Sequence, residues 1–177
     1  MKPIIGLILE GSYDEAAIPV LLRRCRPGIR SVTRNCRGPV AGKFLGIVAE
    51  LSRSYRVDRV LVVSDADGRE PMRIVRDFRR RLVENYGFEV VPIVVVEMLE
   101  AWLIADPIAL ESVLGIRKDF VSPERIRDPK AALRKILPQS TVYTPEIARR
   151  IAEKIDLKLL QKRCPRYSEF RAAIVDS

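Results

Sequence analysis

The chain has 177 residues, 47% of them hydrophobic and 31% charged, with a net charge of +9 and no histidine. That length supports one domain with a substantial core, and no apolar stretch approaches the ~20 residues that span a bilayer, so a cytoplasmic protein with no membrane partner is expected. The missing histidines exclude Ser–His–Asp and Cys–His nucleophiles, imidazole bases and His-ligated zinc, which leaves Asp, Glu, Lys, Arg or Tyr for any acid–base or metal chemistry.

The first half alternates strand and helix signals. Pro3 to Leu9 is an apolar run broken at Glu10-Gly11-Ser12, and with no cleavage site after it the run reads as a strand and not a signal peptide. Asp14 to Arg24 has helical spacing at Ala17, Ile18, Leu21 and Leu22. A second strand is expected over Gly28 to Asn35 and a second helix over Val40 to Ser54, with Phe44, Ile47, Val48 and Leu51 inward. Arg59 to Ser64 predicts a third strand. Glu70 to Tyr86 predicts an amphipathic helix that opens on Pro71 and ends at Gly87. Phe88 to Val96 is a strong strand signal, and its Pro92 points to an edge or a bulge. Strands separated by helices predict right-handed crossovers and a mainly parallel sheet.

From Met98 onward only helix signals remain. Asp106-Pro107, Ser122-Pro123, Asp128-Pro129 and Thr144-Pro145 each pair an N-cap residue with proline at the first helical position. A last helix is expected from Tyr167 to Val175, after the Cys164-Pro165 break. The expected architecture is α/β, with a sheet of about four strands flanked by helices over residues 1–107 and a helical extension over 108–177 packed on that core. Cys25, Cys36 and Cys164 form no CxxC pair, so three buried free thiols are expected.

In a parallel sheet the carboxyl ends of the strands face the ligand. Glu10 follows the first strand directly, and Asp65 and Asp67 follow the third in VLVVSDADG. A charge ending a buried strand beside other acids is costly without a cation, and carboxylate ligands favour Mg²⁺ or Mn²⁺. Asp14 alone reads more simply as the cap of the first helix. Glu97 ends the fourth strand and Glu100 lies about one helical turn on, so both can face the same rim; helix-start electrostatics is the competing account, about level for Glu100. Trp102 reads as core.

The +9 charge suits a polyanion such as nucleic acid, although a basic surface kept for solubility carries the same number. Arg34, Arg37, Gly38 and Lys43 are candidate phosphate contacts, because glycines let backbone amides approach an anion. The arginines between residues 73 and 81 read as a solvated helix face. No aromatic residues interleave the basic clusters, so backbone contact without sequence reading is expected.

An acid after strand one and DxD after strand three is the layout of the TOPRIM fold of topoisomerases, primases and several nucleases. LILEGSYDE and VLVVSDADG resemble it. VEMLEAWLIADP and the later DPKAAL and IDLKLLQKRCPRYSEF resemble a family of small stand-alone TOPRIM-like proteins, some encoded beside an ATPase. The resemblance implies a Rossmann-like core, with Glu10 in metal binding or acid–base work and Asp65 and Asp67 on Mg²⁺. It also implies that related nucleases of the overcoming-lysogenization-defect type hold a second metal through further acids, for which no residue here can be matched. Three functions follow as expectations: a Mg²⁺-dependent phosphodiester hydrolase, in short a nuclease; a non-catalytic metal- and nucleic-acid-binding module working with a partner ATPase; and chemistry on a small nucleotide. The chain lacks a GxxxxGK[ST] loop for the last.

Overall fold

The apolar runs pair side by side. In the computed structural model, which describes residues 3–82 and 86–175, β1 (Ile4–Leu9), β2 (Arg30–Asn35), β3 (Arg59–Asp65) and β4 (Glu89–Val95) form one parallel sheet in the order β2-β1-β3-β4. The two central strands β1 and β3 are the most continuously buried, as strands covered on both faces must be. Pro92 pairs with Val62 in an edge strand, where its missing N–H does least harm.

Side chains alternate between two apolar layers. Leu7, Leu9, Leu61, Val63, Ile93 and Val95 share a core with α1 (Ser12–Cys25) and the helices that follow β4. Ile8, Val60, Val62 and Val94 face α2 (Phe44–Ser54) and α3 (Pro71–Arg81). Gly6 lets α2 close on the sheet. A Cβ there would stand 2.9 Å from Val60 Cγ2 and 3.1 Å from Leu51 Cδ1. Gly6→Ala should therefore cost about 1–3 kcal/mol through overpacking, read as a lower urea midpoint with an unchanged slope.

Beyond β4 come α4 (Glu100–Leu103), α5 (Pro107–Leu114), α6 (Pro129–Ile136), α7 (Pro145–Lys154), α8 (Leu157–Arg163) and α9 (Tyr167–Val175). Asp106, Asp128 and Thr144 cap α5, α6 and α7 as their dipeptides predict, and Asp156 caps α8 with no proline to announce it. Buried Asp106 also accepts from Asp156 N at 2.8 Å, tying the start of α5 to the start of α8. Trp102 is fully buried against Tyr167 and Phe170.

Several expectations need correction. α3 stops at Arg81, where Leu82 leaves helical dihedrals; the remainder of the expected helix falls partly on residues 83–85, outside those described. Val40–Gly42 is a separate 3₁₀ turn ahead of α2. Ser122 heads only a 3₁₀ turn and makes no side-chain cap. Cys25 is half-buried, its Sγ 2.9 Å from the Tyr167 hydroxyl, whereas Cys36 and Cys164 are buried; all three are free.

Candidate metal centre at the carboxyl edge of the sheet

Because β1 and β3 are neighbours, the residues leaving them are neighbours too. Glu10 is half-buried, and its Oε1 accepts from Ser64 Oγ at 2.8 Å and from Val40 N at 3.2 Å. Asp65 closes β3, and its Oδ1 accepts from Leu99 N at 3.1 Å, at the entry to α4. Asp14 lies one turn into α1, buried, and holds Gly11 N at 3.0 Å, so it does cap the helix. It also belongs to the acidic group, a role its capping spacing conceals.

Electrostatics binds these acids into one set. Burial, and then the charges of Asp14, Glu10, Glu100 and Asp67, push the Asp65 carboxyl up to about 9. Asp14 is pushed up to about 7, mainly by burial; the Gly11 amide and Lys130 oppose the rise, while Glu100 and Glu10 add to it. Glu100 is only 2% exposed, and its Oε1 makes no hydrogen bond among the described residues. Its charge is met by Lys130 of α6, whose Nζ stands 3.3 Å away, within ion-pair reach. The same ammonium lies 4.0 Å above the Tyr13 ring. Tyr13 in turn stacks on Tyr143 at 4.8 Å and donates its hydroxyl to the Tyr143 carbonyl. Burial and then Glu100 raise the Tyr143 phenol further above its ordinary range.

Asp67 and Glu97 sit on adjacent loops, joined by Asp67 N to Glu97 O at 3.0 Å. Asp67 is exposed and Glu97 half-buried. Both have positive φ, 48° and 58°, as does Arg37 at 51° on the loop after β2. These are the three non-glycine residues with positive φ among those described, and all lie where the chain leaves a strand's carboxyl end. Backbone strain of this kind gathers at functional edges.

The expected phosphate contacts are engaged otherwise. Gly38 N donates to Glu10 O at 2.9 Å, Arg37 N to Asn35 Oδ1 at 2.8 Å, and Lys43 Nζ to Cys36 O at 2.7 Å. The segment from 36 to 43 thus wraps the Glu10 backbone. Arg34 is committed to Glu50 at 2.8 Å and to the Tyr55 hydroxyl at 2.9 Å. Of this set only the exposed Arg37 side chain makes no hydrogen bond or ion pair among the described residues.

The donor chemistry at the edge is all oxygen, which suits a hard divalent cation, while the buried Glu100 oxygen that makes no hydrogen bond already faces the Lys130 ammonium. Among the described residues no group of three or more His, Cys, Asp or Glu side chains stands ready to hold a metal ion, so a bound cation calls for changed rotamers. Glu10, Asp14, Asp65, Asp67 and Glu100 are the residues whose charges already act on one another. Glu97 reaches the set here only through its carbonyl to Asp67 N. Sequence reasoning missed Lys130, Tyr13, Tyr143 and Ser64. Only Ser64, next to Asp65 on the strand, carried a local signal.

Comparison with known proteins adds the following. No curated protein matches the chain. Solved structures of the C-terminal region of the Xanthomonas campestris pv. campestris OLD protein, one phased with iodine and one with mercury, share 14% identity with TM-scores of 0.42 and 0.41, covering 95% of this chain and 95% and 96% of theirs. A likeness of that size fixes neither fold nor activity. No helix among the described residues is long and apolar enough to cross a membrane. A family model, Domain of unknown function (DUF4276), matches residues 9–174, from the end of β1 through α9, and the chain therefore belongs to the DUF4276 family.

Proposed function

We propose that the protein is a Mg²⁺- or Mn²⁺-dependent phosphodiester hydrolase acting on DNA or RNA. One observation carries the reading: Asp14, Glu10, Glu100 and Asp67 crowd Asp65 at the carboxyl edge of the sheet, and burial together with their charges raises its carboxyl, a repulsion that a divalent cation would relieve. The TOPRIM-like spacing of Glu10, Asp65 and Asp67 and the net charge of +9 agree with it. Glu10, Asp65 and Asp67 would hold the metal, with Asp14 and Glu100 beside them. A bound metal of this class polarises a phosphate oxygen and lowers the pKa of water.

The chain's own residues do the rest. Ser64 and the Val40 amide fix the Glu10 carboxylate, and the Leu99 amide fixes Asp65. Lys130 balances Glu100 from the side of α6.

Plasmid and single-stranded DNA or RNA, incubated with Mg²⁺ or Mn²⁺, should be cleaved. Glu10→Gln and Asp65→Asn should each lower the rate by at least ~10²-fold, the scale of losing one electrostatic contact to the transition state. Undiminished cleavage by both variants sinks the assignment. In a second reading the chain is a non-catalytic metal- and nucleic-acid-binding module that works with a partner ATPase. Under that reading Mg²⁺ raises the melting temperature while turnover waits for the partner.

A further inference from the structure

Helix α3 opens four residues after Asp67. Between residues 69 and 81 the chain places six arginines against two acids, Glu70 and Asp77. Ile74, Val75 and Phe78 are buried, so the helical period puts Arg73, Arg76 and Arg80 on the opposite face, and all three are exposed. Steps of three and four residues align them along the axis over about 10 Å. Arg69 heads the row and folds onto the DxD loop, with Nε 3.1 Å from Ala66 O. A groove of about 420 Å³, lined by Arg69, Glu70, Arg73, Ile74 and Asp77, adjoins it.

A solvated helix face is the plain alternative, and this protein offers one for comparison. On α7, Arg149 is bracketed by Glu146 at 2.6 Å and by Glu153, so that face neutralises itself. On α3 the ion pairs are loose, Arg76–Glu70 at 3.9 Å and Arg80–Asp77 at 3.7 Å, and Arg73 has no ion pair among the described residues. Helix electrostatics accounts for only part of the row. Arg79, Arg80 and Arg81 complement the dipole at the carboxyl end, but Arg73 in the first turn opposes it.

We propose that the row Arg73–Arg76–Arg80 holds the sugar–phosphate backbone of a polynucleotide and leads it past Arg69 to the acidic edge. Along a duplex axis, where each strand places one phosphate per ~3.4 Å, ~10 Å of helix spans about three phosphates of a strand. Arginine offers each of them a planar fork of donors. Such contacts position a strand without reading its sequence. That the strand is then cleaved rests on the hydrolase reading; that it binds here does not.

The test measures binding of a labelled 24-nucleotide DNA strand, its duplex and the matching RNA by fluorescence anisotropy in EDTA, across a salt series. The compared proteins are the wild type, the triple variant Arg73→Ala/Arg76→Ala/Arg80→Ala, and a charge-matched triple on α7, Arg149→Ala/Arg150→Ala/Lys154→Ala. Alanine keeps the helix propensity, and Arg73→Lys/Arg76→Lys/Arg80→Lys, which retains the charge, should retain the salt slope. The α3 alanine triple should bind at least ~10-fold more weakly, with the slope of log K against log salt shallower by about 2 for single strands and about 3 for duplex. The α7 triple should stay within about twofold of wild type. Equal weakening by both triples, an α3 triple that binds like wild type, or a wild type that binds none of the probes overturns the proposal. Binding lost only in the α3 triple, with no cleavage by wild type in Mg²⁺, upholds the row and overturns the hydrolase reading instead.

Discussion

Replacing Asp65 with asparagine should make the metal-free protein more stable while removing its proposed activity. The carboxyl moves from an ordinary 3.8 to about 9 on folding, by burial first and then by Asp14, Glu10, Glu100 and Asp67. A carboxyl raised in this way favours the folded state below its unfolded pKa and loses that advantage as pH climbs through the folded value. Asparagine carries no charge at any pH and can still accept from the Leu99 amide. The stability gap between variant and wild type should therefore be near zero at about pH 4 and widen toward pH 9. It should reach roughly 2–4 kcal/mol at pH 7 after allowance for solvent relaxation, or about 5–10 °C in Tm for a chain this size. Asp14, raised to about 7, adds a decline common to both proteins between pH 4 and 7. Mg²⁺ should raise the wild-type Tm by mass action and leave the variant unmoved. A gap that does not change with pH, or a variant less stable than wild type throughout, contradicts the buried-charge account.

The second large effect belongs to Lys130. Glu100 is 2% exposed and Lys130 is the ion-pair partner that reaches it. Lys130 is 27% exposed, so leaving the buried Glu100 without its partner should cost toward the low end of the ~3–5 kcal/mol typical of fully buried pairs. Lys130→Met keeps an unbranched side chain but takes the ammonium from both Glu100 and the Tyr13 ring, and it should lower Tm by about 10 °C. The double variant Lys130→Met/Glu100→Gln should recover most of that loss, because neither charge is then buried. Millimolar Mg²⁺ should restore part of the loss in the single variant. A single variant within ~0.5 kcal/mol of wild type removes the pair from any account of this centre.

The sheet could be anticipated because each strand announced itself locally. VLVVSDADG states burial, direction and the charged end in nine residues, and Pro92 marks an edge by what it cannot donate. The proline-headed helices were legible for the same reason, since Asp106, Asp128 and Thr144 act on amides two or three residues away. Contacts made across the chain left no such mark. Lys130 meets Glu100 thirty residues away, and Tyr13 stacks on Tyr143 at a still greater separation. Asp14 was half-legible: the cap could be read, but its place among the acids depends on the start of α1 coming near Asp65 in space. The end of α3 was overrun because apolar spacing continues through Leu82, while the backbone there has already turned away.

One consequence of the strand order concerns how molecules of this protein meet. A four-stranded open sheet has two flanks, each able in principle to recruit a strand from another copy. On one flank, β4 carries Pro92 and is neighboured by α3 and α9 through the groove that Met72, Val91 and Ala173 help to line. On the other, β2 carries the exposed Arg30, so an identical flank brought alongside would meet a like charge there. Both borders thus discourage the ribbon-by-ribbon stacking that bare β-edges invite.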